Sequence, residues 1–397
     1  MKTKNYIALI PLRGGSKSIP LKNIQIIAGK PLFYWSTKAA LDSNIYSKIF
    51  ISTDSIEIKK TVSDYFSSSI NKEIEIIDRP AEISQDDSSS EEVLLHTLDY
   101  CNIKNYPCDI ISLVQATSPL TTAIDFINAK NQFEMEVADS LVTGTIDKRF
   151  YWDKNTKSPI NYDYNQRPRR QNFKGLFQEN GAFYFTKIDL LKNKKSRLGG
   201  QISLFLMNEE NSIELDEPID WKYLSQILIS KNKSSILNNN NNNKIKALIL
   251  DVDGTLTDAG MYYDENGEAL KKFNTRDAHG IKLLEKIGIM TCIITAESSP
   301  RVHSRMHKLE IKHYFHGIKN KLEILEHWRK EQNLKWEELA YGGDDINDLI
   351  CMQKVGLSFC PSDAVSKIKN SVHYICENTA GLGAVREFID LFLLKDN

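Results

Sequence analysis

Hydrophobic residues in the first half of the chain form short runs that alternate with amphipathic stretches. Runs of strand length lie at 7–10, 49–54, 74–77, 109–115 and 139–143, and helical periodicity lies at 32–41, 91–100 and from 124 onward. Continuous apolar runs of this length are typical of strands buried on both faces. The order β-α-β-β-α-β-α-β predicts an α/β fold, in which a mostly parallel sheet carries helices on both faces.

A second α/β pattern begins near residue 245. An apolar run ends in Asp-Val-Asp-Gly-Thr at 251–255, and another run covers 290–294. Between the two halves, residues 230–243 are polar and end in six asparagines, a composition that cannot bury apolar area. We predict two domains, 1–229 and 244–397, joined by a flexible Asn-rich linker at 230–243. A length of 397 residues agrees with two domains.

Composition narrows the class of protein further. A formal net charge of −1 argues against a nucleic-acid partner. No apolar run approaches the ~18 residues of a membrane span, and the first one is too short for a signal peptide. The six cysteines form no Cys-x-x-Cys pair, so neither a zinc site nor a disulfide framework is predicted. We expect a cytoplasmic protein with no membrane partner.

The first apolar run ends in a loop that contains glycines and cations. These residues are Arg13, Gly14, Gly15, Ser16, Lys17, Lys22 and Asn23. Glycines let the backbone approach a ligand, and converging cations meet the charge of a triphosphate. The spacing is neither the Walker loop nor the dinucleotide motif. A Gly-Gly turn with solvated lysines would give the same composition.

The segment at 13–23, followed by Ala-Gly-Lys-Pro-Leu at 28–32, resembles the start of the CMP-N-acylneuraminate synthetases. The sister enzymes that activate the octulosonate sugar carry a shorter version. The resemblance implies a nucleotidyltransferase-like domain whose loop binds the phosphates of CTP. It assigns Arg13, Lys17 and Lys22 to holding the triphosphate during cytidylyl transfer to an N-acylneuraminate.

Two later segments extend this resemblance. The family pattern brings Arg79 and either Ser89 or Ser90 toward the nucleotide, although such a serine is also a common helix N-cap. Gln115 corresponds to the family glutamine at the sugar-nucleotide site, or else ties down a loop. Thr121 stands where the family usually carries arginine, so we expect no contact from that position.

A basic cluster at 167–171 and the segment at 180–184 match the family's sugar pocket and dimer-facing insertion. The resemblance assigns Asn180 to the substrate. Arginine pairs with a carboxylate through two parallel hydrogen bonds, so we expect Arg170 or Lys148 to hold the sugar carboxylate. A solvated basic face is the plain alternative.

Glu214 and Asp216 close the first domain. Relatives carry Asp-x-Asp here, and these two carboxylates hold Mg²⁺ against the triphosphate, the usual magnesium arrangement. Glutamate replaces the first aspartate and reaches one methylene further, so Asp216 is the firmer predicted ligand. An edge strand with solvated acids would give the same pattern.

The motif at 251–255 is similar to that of the haloacid-dehalogenase phosphatases. Two carboxylates at this spacing can share one Mg²⁺, with Asp251 as nucleophile and Asp253 as proton shuttle. The resemblance adds Thr295 as the hydroxyl that binds phosphoryl oxygens and Lys321 as the neutralising cation. Asp344, in Gly-Gly-Asp-Asp-Ile-Asn-Asp, completes the predicted metal site.

The spacing between Asp258 and Thr295 leaves no room for a cap domain. Capless members resemble the octulosonate-8-phosphate and ketodeoxynonulosonate-9-phosphate phosphatases, which are tetramers. This resemblance assigns Glu297, Arg305 and Lys308 to the sugar, whereas charges at helical spacing on a helix surface are the plain alternative.

These expectations describe a bifunctional sialic-acid activator that uses Mg²⁺ in both domains. The C-terminal domain would hydrolyse an N-acylneuraminate 9-phosphate, and the N-terminal domain would couple the free sugar to CTP. The resemblances also imply a homo-oligomer, a dimer through the first domain and a tetramer through the second. Two alternatives are a synthetase whose second domain serves only assembly, and an octulosonate synthetase–phosphatase fusion.

Overall fold

The computed structural model describes residues 4–15, 19–67, 69–70, 72–238, 245–265 and 267–393. The chain divides into two compact units, one of residues 1–25 with 31–224 and one of residues 26–30 with 225–397. Each unit has its own sheet and its own cores. The predicted α/β architecture is confirmed.

The first sheet has the order β11-β7-β10-β6-β1-β4-β5. The strands of this region are β1 (Tyr6–Pro11), β2 (Ile26–Ile27), β3 (Lys30–Pro31), β4 (Tyr46–Thr53), β5 (Ile74–Asp78), β6 (Ile110–Val114), β7 (Ser140–Asp147), β8 (Trp152–Asp153), β9 (Ser158–Pro159), β10 (Leu176–Lys187) and β11 (Ile202–Leu206). The helices are α1 (Leu32–Asp42), α2 (Ile56–Phe66), α3 (Ser90–Lys104), α4 (Ala123–Met135), α5 (Ile188–Lys194) and α6 (Pro218–Asn238).

Alternation along β1 explains why helices cover both faces of this sheet. Ala8 and Ile10 belong to the core formed with α1, α2 and α4, whereas Ile7 and Leu9 belong to the core formed with α3 and α5. Successive strand side chains point to opposite faces, so a continuous apolar run fills both cores.

Two elements differ from the predicted order. Helix α2 lies between β4 and β5, where no helix was predicted, and β10 pairs antiparallel with both β6 and β7. The other pairings in this sheet are parallel. The segment at 180–184, for which no strand was predicted, belongs to β10 and lies between β7 and β6 in the interior of the sheet.

The second sheet is parallel, with the order β16-β15-β12-β17-β18-β19. Its region contains β12 (Ala247–Leu250), β13 (Tyr262–Asp264), β14 (Gly267–Leu270), β15 (Met290–Ile294), β16 (His313–Phe315), β17 (Leu339–Gly342), β18 (Leu357–Cys360) and β19 (Tyr374–Ile375). The helices are α7 (Thr275–Lys286), α8 (Pro300–Leu309), α9 (Lys321–Glu331), α10 (Ile346–Met352), α11 (Ser366–Lys369) and α12 (Ala384–Leu393). Between β12 and α7 the chain forms the β13–β14 hairpin.

The linker region differs from the prediction. Residues 230–238 are the end of α6, and the division between the compact units falls inside this helix, after Leu224. A polar segment can continue a helix because each added residue gains a hydrogen bond once the helix is nucleated. The remaining linker residues, 239–243, lie outside the described residues. Within the described part of the chain, no helix is long and apolar enough to cross a membrane.

Candidate active sites

A cleft of about 580 Å³ lies in the first unit beside the ends of β1 and β6. Among its lining residues are eight predicted site residues: Arg13, Lys22, Asn23, Arg79, Ser90 (the alternative to Ser89), Gln115, Glu214 and Asp216. It is also lined by Pro11, Asp86, Ser88, Val93, Thr117 and Glu217. Ligands of open α/β sheets bind at the carboxyl ends of the strands, and this cleft has that position.

Hydrogen bonds fix the cationic loop at the entrance of the cleft. Arg13 Nη1 lies 3.1 Å from Asp86 Oδ1, and Asn23 Nδ2 donates to the Arg13 carbonyl at 3.2 Å. Lys22 Nζ donates to the Leu215 carbonyl at 2.9 Å, which ties the loop to the acidic segment. The backbone N–H of Gly14 donates to Asp54 Oδ1 at 2.9 Å.

Ser16 and Lys17 lie outside the described residues, whereas Gly15 is described and exposed. Arg79 is buried, and its Nε donates to the Ile83 carbonyl at 2.7 Å. Burial lowers the pKa of Arg79, and the nearby Arg13 lowers it further. The Arg79 guanidinium is therefore oriented by a backbone carbonyl, and Arg79 lines the same cleft as Arg13.

Oxygen atoms gather around Thr117 in the lining of the cleft. Thr117 Oγ1 lies 3.2 Å from Gln115 Oε1 and 3.2 Å from Glu214 Oε1. Burial raises the pKa of Glu214, and the neighbouring Asp216 carboxylate raises it further. The donor set of Glu214, Asp216 and side-chain oxygens suits a hard divalent cation.

Ser89 and Asn180 do not line this cleft. Ser89 caps α3, since its Oγ accepts the Glu92 N–H at 3.2 Å and Glu92 Oε2 accepts the Ser89 N–H at 2.7 Å. Asn180 Oδ1 accepts from Thr143 Oγ1 at 2.7 Å. The adjacent Gly181, at φ +66°, lies against Glu214 and Gln115, where an added Cβ would approach both within 3.5 Å.

Lys148 and Arg170 line a separate basic cleft of about 580 Å³, together with Arg149 and Arg167. The Arg167 guanidinium lies 4.8 Å from the centre of the Phe150 ring. Both candidates for the sugar carboxylate are therefore brought together, but outside the cleft that holds Arg13 and Lys22.

The second unit contains a buried ion cluster at the ends of its strands. Lys321 Nζ lies 2.6 Å from Asp251 Oδ1 and 2.7 Å from Asp348 Oδ1. Asp251 follows β12, Lys321 begins α9, and Asp348 lies in α10. Asp348 was not assigned from the sequence, although it ends the Asp-Asp-x-x-Asp motif. Its Oδ1 also accepts the Tyr341 hydroxyl at 2.8 Å.

Asp251, Asp344 and Asp348 present carboxylate oxygens within 4.8 Å of one another. Burial and the surrounding carboxylates raise the pKa of Asp251, and they raise that of Asp344 to about 8. Asp344 Oδ1 is buried and has no hydrogen-bond partner among the described residues. A divalent cation with oxygen ligands would satisfy this arrangement.

Gly254 allows Asp344 to approach the nucleophile loop. The glycine has φ +84°, and a Cβ at this position would lie 2.0 Å from Asp344 Oδ2. The Asp253 carboxylate is not in the three-carboxylate group; it pairs with Lys271 instead. Thr295 follows β15, is buried, and accepts the Glu297 N–H on Oγ1 at 3.3 Å.

The predicted sugar contacts lie on the β15–α8 segment. Glu297 and Lys308 are exposed. The Arg305 guanidinium lies 5.6 Å from the centre of the Phe273 ring, and its Nη2 lies 3.5 Å from the Asn274 carbonyl. None of the described hydrogen bonds joins these three side chains to Asp251 or Lys321.

The first cleft belongs to a nucleotide-transferring α/β domain, and a family model described as cytidylyltransferase matches residues 7–245. N-acylneuraminate cytidylyltransferase A of Danio rerio is 34% identical, over 99% of this chain and 90% of that relative. The relative of the same name from Oncorhynchus mykiss is 31% identical over 98% of this chain and 89% of its own length. The chain belongs to the N-acylneuraminate cytidylyltransferase family.

The second region matches a haloacid dehalogenase-like hydrolase family model over residues 315–389. The 3-deoxy-D-manno-octulosonate 8-phosphate phosphatase of Haemophilus influenzae is 39% identical over 38% of this chain and 83% of that relative. A structure of the Moraxella catarrhalis phosphatase of the same name, with magnesium, phosphate and KDO, is 32% identical over 41% of this chain and 91% of that chain, with a TM-score of 0.39. Both predicted resemblances, and their fusion in one chain, are confirmed.

Proposed function

We propose that this protein activates a sialic acid in two consecutive steps, each at its own site. The second unit hydrolyses an N-acylneuraminate 9-phosphate, and the first unit transfers CMP from CTP to the C2 hydroxyl of the free sugar. The observation that carries the proposal is that each unit assembles its own polar site from distant segments of the chain.

In the transferase site, Arg13, Lys22 and Arg79 bind the phosphates of CTP. Fixed cations at this position neutralise charge that moves onto pyrophosphate as the sugar oxygen attacks the α-phosphorus. Asp216 and Glu214 would hold Mg²⁺, which would supply further neutralisation of the phosphate charge when bound. The cleft supports this role because it joins the cations and the carboxylates around one space.

In the phosphatase site, Asp251 attacks phosphorus while Asp253 gives a proton to the leaving sugar oxygen. Asp253 then takes a proton from the water that attacks the aspartyl-phosphate. Lys321 neutralises the phosphoryl group, and the Thr295 hydroxyl binds its oxygens. Asp251, Asp344 and Asp348 would hold Mg²⁺, which supplies charge neutralisation when bound.

The sugar contacts are assigned from the family resemblance. Gln115 and Arg170 or Lys148 would contact the sugar in the transferase, while Glu297, Arg305 and Lys308 would do so in the phosphatase. A homo-oligomer, dimeric through the first unit and tetrameric through the second, would let a neighbouring copy bring such side chains to a site. The substrate classes and the cysteines without Cys-x-x-Cys spacing favour a cytoplasmic location.

A second candidate function makes the C-terminal unit an assembly module only. The buried contact of Lys321 with Asp251 and Asp348 favours catalysis, because burying such a cluster costs stability. An octulosonate substrate is supported by the phosphatase relatives alone, whereas the relatives that span the chain carry the N-acylneuraminate name.

A pair of variants tests the assignment of the two steps. Asp251→Asn is expected to lower phosphate release from N-acetylneuraminate 9-phosphate by about 10³-fold or more and leave CMP-sugar formation from free sugar unchanged. Lys22→Met is expected to lower CMP-sugar formation by about 10²-fold and leave phosphate release unchanged. Parallel loss of both activities in either folded variant would contradict two independent sites.

A further inference from the structure

Lys271 is a buried lysine that contacts the proposed proton shuttle. It follows β14, and its side chain is 0% exposed. Its Nζ lies 2.7 Å from Asp253 Oδ1 and 2.8 Å from Asp253 Oδ2, so one ammonium group holds both oxygens of that carboxylate.

The surroundings of Lys271 explain how a buried ammonium is tolerated. Burying a charge is costly unless it is paired, and Lys271 has a second carboxylate nearby, with Glu268 Oε1 at 3.7 Å. Thr257 Oγ1 also donates to Asp253 Oδ1 at 3.3 Å. Asp253 is thus held by two donors from separate segments of the second unit.

The adjacent lysine has a different environment. Lys272 keeps 55% of its side chain exposed and pairs with Asp258 at 3.1 Å. Neighbouring residues of a strand or extended segment point to opposite sides, so one lysine reaches the site and the next one faces solvent. The chain therefore offers its own matched control.

We propose that Lys271 is a positioning residue that holds Asp253 for proton transfer to and from the sugar oxygen. The proposal rests on the phosphatase activity proposed above. When the Asp251 oxygen attacks, the phosphorus–oxygen bond to the sugar breaks and its electron pair goes to the sugar oxygen. That oxygen takes the proton of Asp253, and Lys271 stabilises the carboxylate that remains.

The second step returns the proton. Water attacks phosphorus, the bond to Asp251 breaks, and Asp253 accepts the proton of the water. Proton donation matters most when the leaving oxygen is strongly basic, as in a sugar alkoxide. It matters little for nitrophenolate, a weak base that departs without a proton.

This difference gives a test in the full-length protein. Lys271→Met is expected to lower kcat for N-acetylneuraminate 9-phosphate by about 10²-fold and kcat for p-nitrophenyl phosphate by less than about threefold. Lys272→Met is expected to leave both unchanged. In an Asp253→Asn background, Lys271→Met should cause no further loss on the sugar phosphate, because the two residues act as a unit.

Equal losses on the two substrates, or a full further loss in the Asp253→Asn background, would overturn the proposal. If Lys271→Met fails to fold, Lys271→Arg is measured in the same way, and equal losses on the two substrates would again overturn it. A wild-type protein that hydrolyses neither substrate would instead contradict the proposed phosphatase function, which is a distinguishable result.

Discussion

Lys321 is the residue on which the phosphatase site depends most directly. Its ammonium group contacts two buried carboxylates, and a third carboxylate, that of Asp344, lies beside them. One cation against three acids leaves the cluster with a negative excess if all are ionised. Burial first, and then this excess, raises the pKa of Asp344, and the excess also explains the fit to a divalent cation.

Replacing Lys321 should make the stability of the second unit depend more strongly on Mg²⁺. Lys321→Met is expected to abolish phosphate release and, in chelator, to lower the free energy of unfolding of the second unit by about 3 kcal/mol. Added Mg²⁺ should recover more stability in this variant than in wild type, because the ion replaces the lost charge. Thermal unfolding in Mg²⁺ and in EDTA measures this difference, and Lys319→Met, a change at an exposed lysine, is the control. An equal stabilisation by Mg²⁺ of wild type and both variants would contradict the prediction.

Sequence motifs single out residues that the structure brings together where the motifs lie at strand ends and helix starts of one sheet. Asp251, Asp344 and Lys321 belong to motifs and meet in the structure. Lys271 carried no signal, because its contact with Asp253 depends on how the β13–β14 hairpin returns to the site. For Ser89 and Asn180, the motifs indicated a segment near the cleft but not the direction of the side chain. Local hydrogen bonds, which a motif does not encode, set that direction.

At the scale of secondary-structure elements, candidate site residues lie directly after strands, and several others lie at the starts of helices. Asp251 follows β12, Gln115 follows β6, and Lys321 is the first residue of α9. Two neighbouring serines at the start of α3 have different roles. Ser89 caps the helix, whereas Ser90 lines the cleft.

The two serines should therefore respond differently to truncation. Ser89→Ala is expected to destabilise α3 by about 1 kcal/mol, measured by hydrogen exchange of its amides, while the KM for CTP stays within about twofold. Ser90→Ala is expected to raise that KM without affecting the exchange. A large rise in the KM for CTP with Ser89→Ala would restore the direct nucleotide role that the sequence resemblance suggested.

Helix α7 carries a pH-dependent contact in its first turn. Asp277 Oδ1 accepts the Arg386 N–H at 2.7 Å, and burial raises the pKa of Asp277 to about 6 although Arg386 and Gly383 donate backbone hydrogen bonds. The ordinary value is about 4. The folded state therefore holds a proton that the unfolded state releases, so the contribution of Asp277 to stability is fully present below pH ~4 and is lost as pH rises through the folded-state pKa.

Asp277→Asn should remove this decline. The free energy of opening of α7, measured by hydrogen exchange at pH 4.5 and pH 7, is expected to fall with pH in wild type by up to about 2 kcal/mol more than in the variant. Identical pH slopes in the two proteins would show that Asp277 is not the titrating group.

Strands and helices could be predicted from the sequence where apolar runs are continuous, and less well elsewhere. The run in β1 fills two cores, and the run at 290–294 coincides with β15. Helix α2 was missed, although its buried residues, Ile58, Val62 and Phe66, recur at four-residue spacing. The antiparallel pairing of β10 was missed because strand direction depends on long-range packing rather than on local pattern.

At the scale of the whole molecule, the proposed function gives one chain two sites for reactions that share an intermediate. In this proposal, the sugar released by the phosphatase is the acceptor of the transferase. Covalent linkage keeps the two sites at equal stoichiometry and raises the local concentration of the intermediate, to an extent set by geometry. The cleft with Arg13 and Lys22 lies in the first unit, and the carboxylates of Asp251, Asp344 and Asp348 lie in the second.

The central claim is that this single chain performs both reactions in sequence. A phosphorus NMR time course would follow full-length protein with Mg²⁺, CTP and N-acetylneuraminate 9-phosphate in one tube. We expect inorganic phosphate first, then pyrophosphate together with the diester signal of a CMP-sugar. Pyrophosphate from unphosphorylated sugar in a parallel tube, with no phosphate released in the main one, would contradict the claim and leave the second unit without its proposed activity.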